Sequence, residues 1–193
     1  MCNDATRREE HVTQEALVRQ AARGDRDAFA SLAAPRLDRM YATATLMLRD
    51  RGRAEDAVQD ALVRAWRDLS RLRDPRQLDG WLRRLLVNAC RDESRRGRRH
   101  ETNLRLLPDH DRPIAAEADG FADREALGDA LRTLSIDHRA VVVHHYYLGL
   151  SLPEIAEALD IPVGTTKSRL HHARNALRAA MDPQGVSSEG NVE

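Results

Sequence analysis

A chain of 193 residues, 41% hydrophobic and 32% charged, has the composition of a soluble protein with one ordinary domain or two small ones, which excludes disorder throughout. Aromatics make up only 4%, so strands are poorly supplied, while abundant Ala, Leu and Arg favour an all-α fold. The formal charge is zero, yet it is segregated: Arg83 to Arg99 holds seven Arg and two acids, Pro108 to Glu125 six acids and two Arg, and Val163 to Met181 four basic residues and no acid.

After a polar leader, the run from Gln14 to Trp66 shows helical spacing in Leu17, Val18 and Ala21, in Phe29 and Leu32, and in Leu37, Met40, Ala44 and Met47, with breaks at Gly24, Pro35 and Gly52. The helix after Gly52 places Ala54, Ala57, Val58, Ala61, Leu62, Ala65 and Trp66 on one stripe. Its other face carries Glu55, Asp56, Gln59 and Asp60. Asp56 and Asp60 lie one turn apart, but no His or Cys completes a metal set and no Gly-rich phosphate loop accompanies them. The face is either solvated or a docking surface for a basic partner.

Residues 70–80, SRLRDPRQLDG, hold Pro75 and Gly80 without a period and read as an exposed loop, a place where contacts are made. A helix resumes from Trp81 to about Arg95 and runs out in RRGRRH. Trp81, Leu82, Leu85, Leu86, Ala89 and Cys90 face one side, and Arg83, Arg84, Asn88, Arg91 and Arg95 the other. Such an Arg face matches a phosphate track whose binding falls steeply with salt as counterions are released. Trp66 and Trp81 bracket the loop and could stack on an unpaired base, although a Trp on an apolar stripe is more often core.

From about Thr102 to Asp123, Pro108, Pro113 and Gly120 interrupt an aperiodic acidic stretch with the composition of a flexible linker. The chain therefore divides into two small helical domains, 14–100 and 124–181, joined by a linker at 101–123 and followed by a disordered tail at 182–193.

The most specific local signal is SLPEIAEALDIPVGTTKSRLHHARNAL, a short helix, a tight turn and a second helix: a helix-turn-helix. Ser151 and Glu154 make a capping box for the first helix. Ile155, Ala156 and Leu159 form its buried side, with Ala156 small enough for close approach of the second helix. Asp160, Ile161 and Pro162 form the break, Pro162 suiting the start of the next helix. Thr166, Leu170, Ala173 and Leu177, spaced four, three and four, are expected inside. By elimination Lys167, Ser168, His171, His172 and Arg174 point outward, mixing groups that reach base edges with cations that reach phosphates. An ordinary amphipathic hairpin would carry a basic face too, but the capped first helix, short turn and acid-free second helix together favour DNA. His144 and His145 precede Tyr146 and Tyr147 in a helix expected beneath this motif, and at least one of the two is core or interdomain. Cys2 and Cys90 lie far apart with no CxxC spacing, which fits a reducing compartment. No run reaches the roughly 18 apolar residues of a membrane span and no signal peptide is evident, so a cytoplasmic protein is expected.

AEDAVQDALVRAW (Ala54 to Trp66), WLRRLLVNACRDESRR (Trp81 to Arg96) and LSLPEIAEALDIPVGTTKSRLHHAR (Leu150 to Arg174), in this order, resemble the extracytoplasmic-function sigma factors of bacterial RNA polymerase. The resemblance covers roughly Gln14 to Met181. It implies a non-enzymatic promoter-specificity subunit without cofactors, in which a promoter-melting domain precedes a domain that reads the minus-thirty-five element. By the same resemblance, Asp56, Gln59 and Asp60 dock on the clamp of the polymerase largest subunit, with the flap of the second-largest subunit a further contact. The loop Arg71 to Asp79 captures a base flipped from the minus-ten element, with Asp74, Arg76 and Gln77 as polar candidates for the pocket and the Arg face behind it on DNA. Lys167, Ser168 and His171 match base-reading positions, and Arg169, His172 and Arg174 backbone-contacting ones. His171 and His172 depart from the usual bulky or basic residue followed by Arg, so upstream binding is expected to strengthen as pH falls. An anti-sigma factor, often membrane-bound, is an implied partner. The competing reading from another class is a stand-alone helix-turn-helix regulator, which leaves the N-terminal half unexplained; a carboxylate-based phosphodiesterase lacks a metal set.

Overall fold

The computed structural model describes residues 14–103 and 121–181, and every regular element among them is helical. Five helices form an N-terminal group: α1 (residues 14–21), α2 (Arg26–Ala33), α3 (Leu37–Leu48), α4 (Arg51–Asp68) and α5 (Leu78–Asn103). Four more follow: α6 (Phe121–Thr133), α7 (Ile136–Val142), α8 (Leu152–Leu159) and α9 (Val163–Met181).

The helix starts follow local chemistry. Asp25 accepts from the N–H groups of Asp27 and Ala28, both at 3.0 Å, and Asp50 accepts from that of Arg53 at 2.9 Å, each satisfying donors left free at a helix start. Gly24, at φ 95°, closes α1 in the left-handed region that glycine adopts without strain. The break expected at Gly52 falls earlier, at Arg49, which adopts φ 61° and ends α3; Gly52 lies inside α4. A 3₁₀ turn at Ala34–Arg36, with Pro35 in it, joins α2 to α3.

Two further expectations shift. The stretch read as a loop contains two 3₁₀ turns, Leu69–Arg71 and Pro75–Gln77. The helix expected to run out after Arg95 continues to Asn103, through Gly97 and into the stretch read as linker. Gly97 is buried beneath the Arg53 guanidinium, the flexible end of a side chain from α4, and α5 runs through it despite the roughly 1 kcal/mol that glycine costs in a helix. The linker and tail expectations for 104–120 and 182–193 lie outside the described residues.

A smaller core of Val18, Leu32, Ala65, Leu69, Leu78 and Leu82 lies among α1, α2, α4 and the start of α5, with Trp81 packed against it. Trp66 meets Phe29 edge to face at 5.2 Å. The larger core runs across both groups, joining Met47, Ala57, Leu86, Val87 and Cys90 to Val141, Val143, Ile155, Leu159 and Leu170. α5 packs on α7 and α8, and α3 on α7 and the π-type turn Val143–Tyr147 that follows it, so the two groups share one interior.

Candidate nucleic-acid interface

The helix-turn-helix is built from α8 and α9. The Glu154 carboxylate accepts from the Ser151 backbone N–H at 2.8 Å and from its hydroxyl at 2.6 Å, within the capping box that starts α8. Those two bonds hold the Glu154 carboxyl below the usual carboxylate range. Asp160, at φ 53°, ends α8 in the left-handed conformation, and its N–H returns to the Ala156 and Glu157 carbonyls. Pro162 stands one position before the first helical residue rather than in it: its carbonyl accepts from the Thr166 N–H at 3.0 Å.

Along α9, Thr166, Leu170 and Ala173 are buried and Leu177 half-buried. Lys167, Ser168, His171, His172 and Arg174 are exposed, on a helix whose resolved surface carries no acid. Ser168 Oγ donates to the Thr165 carbonyl at 3.0 Å, and His171 Nε2 lies 3.1 Å from Asn175 Nδ2. Arg169 differs from its neighbours. It is half-buried, with Nη2 3.7 Å from Asp137 Oδ2.

In the N-terminal group, Asp74 accepts from the Arg76 N–H at 3.0 Å and caps the Pro75–Gln77 turn, while Arg76 pairs with Glu15 at 3.2 Å. Gln14 donates to the Pro75 carbonyl at 2.8 Å and accepts from Arg36 at 2.9 Å. The turn is therefore tethered to α1; the Gln77 N–H donates to the Asp74 carbonyl at 3.0 Å and its side chain is exposed.

The Arg face expected to be free is largely engaged. Arg91 donates to Asp137 Oδ1 at 2.9 Å and to the Leu159 carbonyl at 3.4 Å, and Arg84 lies 3.7 Å from Glu157. Arg83 lines a cavity of about 550 Å³ between the groups, together with Arg39, Met40, Leu86, His144 and Leu148. Asn88 and Arg95 remain exposed. The physical reason for the difference is that α5 is the surface on which α7 and α8 pack, so part of its polar side meets carboxylates of the chain itself.

His144 lies in this seam, fully buried, with Nδ1 bonded to the Ala140 carbonyl at 2.7 Å. A carbonyl only accepts, so Nδ1 carries the proton and Nε2 presents a lone pair, which has no partner. Burial, with Arg83 and Arg91 nearby, pushes its pKa down to about 4 against the single favourable bond to Ala140.

On α4, Glu55, Asp56 and Gln59 are exposed, whereas Asp60 pairs with Arg64 at 2.6 Å, and Arg64 reaches Asp92 at 2.9 Å. Among the described residues, no three His, Cys, Asp or Glu side chains are placed to hold a metal ion, and no helix is long and apolar enough to cross a membrane.

Comparison with known proteins places this arrangement. Residues 32–100 match the family described as Sigma-70 region 2, and residues 124–177 match Sigma-70, region 4. The ECF RNA polymerase sigma factor SigL of Mycobacterium tuberculosis is 38% identical over 143 residues, covering 72% of this chain and 80% of SigL. The chain belongs to the extracytoplasmic-function sigma factor family. SigW of Bacillus subtilis is a further relative of this sigma factor, 31% identical over 182 residues, covering 83% of this chain and 92% of SigW. Among solved structures, CnrH in complex with the cytosolic domain of CnrY superposes with a TM-score of 0.65 at 26% identity, over 89% of this chain and 99% of that one. The sigma factor RpoE of Bartonella quintana, in complex with the anti-sigma factor NepR, gives 0.66 at 25% identity, over 81% and 98%.

Sequence reasoning found the helix-turn-helix and missed Asp137 and Glu157 as partners of the Arg face. The signal for Asp137 was present only as an acid in the first turn of a helix capped by Ser135, which reads as ordinary helix-start chemistry.

Proposed function

We infer that this sigma factor binds core RNA polymerase and directs initiation at a restricted set of promoters, acting in the cytoplasm, without cofactors or catalysis of its own, and under the control of an anti-sigma factor. Residues 14–100 form the region that docks on polymerase and recognises and melts the minus-ten element; residues 124–181 form the region that reads the minus-thirty-five element. The intervening 101–123 act as linker and 182–193 as a tail.

The observation that carries the reading is the exposed, acid-free face of α9 on a capped helix-turn-helix, within a stretch that matches Sigma-70, region 4. Lys167, Ser168 and His171 are assigned to base edges, and Arg169, His172 and Arg174 to phosphates. In the promoter-melting region, Asp74, Arg76 and Gln77 are assigned to the flipped base and Arg83, Arg84, Asn88, Arg91 and Arg95 to the strand behind it. Flipping a base costs a few kcal/mol of stacking and pairing, so the pocket must recover that amount. Asp56, Gln59 and Asp60 are assigned to the polymerase clamp, with Asp56 and Gln59 the more available because Asp60 already pairs with Arg64. An anti-sigma partner is supported by the complex in which RpoE was solved with the anti-sigma factor NepR.

Run-off transcription with core polymerase tests the reading. Lys167→Ala should lower initiation at a cognate promoter by about 1–3 kcal/mol in upstream discrimination, while leaving polymerase binding intact. Equal initiation by wild type and variant from a minus-thirty-five-dependent promoter would refute the assignment.

A further inference from the structure

The cavity of about 550 Å³ beside α3, α5 and the π-type turn has the size of sites that take small molecules. Much of its wall is apolar. Met40, Leu82 and Leu86 are buried there and Leu148 is half-buried. Thr43 offers no donor, because its hydroxyl proton goes to the Arg39 carbonyl at 2.7 Å within α3.

Three guanidiniums line the same space, and they are not equivalent. Arg36 is occupied by Asp79, by Gln14 Oε1 and by the Leu32 carbonyl, and with Asp79 on the same wall the pair is neutral. Arg39, exposed on the solvent side, and Arg83, half-buried, have no carboxylate within ion-pair distance among the described residues. Nε of Arg83 is buried with no hydrogen-bond partner at all. Two uncompensated charges beside an apolar surface favour a ligand that brings an anion.

His144 sets the opposite requirement. It is fully buried in the wall, its Nδ1 proton is committed to the Ala140 carbonyl at 2.7 Å, and its Nε2 is an acceptor without a partner. Burial, with Arg83 and Arg91 nearby, keeps the ring neutral, so what it lacks is an O–H or N–H donor rather than an anion.

We propose that this cavity binds a small organic anion that has an apolar body and a hydroxyl donor. The carboxylate meets Arg39 and Arg83, the body lies against Met40 and the leucines, and the hydroxyl donates to His144 Nε2. An aromatic body suits the wall because a ring edge packs well on the Met40 thioether. A bare inorganic anion meets the guanidiniums but leaves the apolar wall uncovered.

The test uses the full-length protein labelled with ¹³C-methyl methionine. The Met40 methyl reports on the cavity, and Met47, buried further along α3 and not part of the wall, is the internal control. The Met40→Leu variant identifies the Met40 signal. Two hydroxylated acids of different reach, 4-hydroxyphenylacetate and 3-(4-hydroxyphenyl)propionate, should shift Met40 and not Met47, saturating in the low-millimolar range that ordinary ligand efficiency gives about a dozen heavy atoms. Three comparison compounds each lack one feature: 3-phenylpropionate the hydroxyl, tyramine the negative charge and inorganic phosphate the apolar body. Each should bind about tenfold more weakly, as should the hydroxylated acids to Arg39→Gln, a change at an exposed position. No saturable Met40 shift with either hydroxylated acid would mean that the cavity holds water only, and overturns the proposal. Equal binding by any comparison compound, or undiminished binding by Arg39→Gln, overturns it as well. Because the shift involves neither DNA nor polymerase, failure here leaves the sigma-factor reading untouched.

Discussion

Lowering the pH should destabilise the closed fold through His144. The side chain is neutral and fully buried, with its pKa near 4 in the folded protein and about 6.5 in the unfolded chain. Between those values the unfolded chain binds a proton that the native state refuses, so stability is whole above about pH 6.5 and falls as pH drops toward 4. The gap, at about 1.4 kcal/mol per unit, amounts to roughly 3 kcal/mol, a large share of a typical domain's 5–15 kcal/mol. The cationic groups facing the ring, Arg83 and Arg91 on α5, both act in the same direction. Urea unfolding followed by circular dichroism at pH 7.5, 6, 5 and 4.5 measures the loss, with His144→Gln as reference. Gln retains a donor for the Ala140 carbonyl but does not titrate, so subtraction removes the background from carboxylates. The wild type should lose about 1.4 kcal/mol more than the variant per unit within the window. A difference that is constant with pH would show that His144 is not held neutral by burial.

Three further outcomes follow from the same packing. Ile155→Ala removes a fully buried side chain from the core common to both groups and should cost about 2–5 kcal/mol by urea unfolding, against almost nothing for the same change at exposed Val63. Arg139→Met replaces a partly buried cation that has a like charge beside it, and should raise the thermal midpoint by about 2–4 °C; a fall would reveal an anionic partner for Arg139. The Cys90 thiol, pushed up to about 12 chiefly by burial, should stay unreactive toward a thiol reagent at pH 8 in a Cys2→Ser background and react once urea unfolds the chain.

The helix-turn-helix was legible because its determinants are local: Ser151 and Glu154 lie three positions apart, and the spacing of Thr166, Leu170 and Ala173 marks one helical face. The seam was not legible, because its pairs are distant in sequence. Arg91 and Asp137 are 46 positions apart, and a chain with 31 basic and 31 acidic residues offers many alternative pairings. The Arg side of α5 consequently read as a free phosphate track, although α7 and α8 lie against part of it. Asp74 read as a base-pocket group for a related reason: a short acid before Pro in a turn serves equally as a cap for the backbone two residues on. The helix past Arg95 was missed because glycine is a poor helix former, and the Arg53 side chain that covers Gly97 comes from another element.

The account rests most directly on association with polymerase. Purified protein mixed with core RNA polymerase lacking any sigma factor, then resolved on a sizing column, should co-elute as wild type and fail to do so as Asp56→Arg/Gln59→Arg, both positions being exposed on α4. No association of the folded wild type at low salt would contradict it.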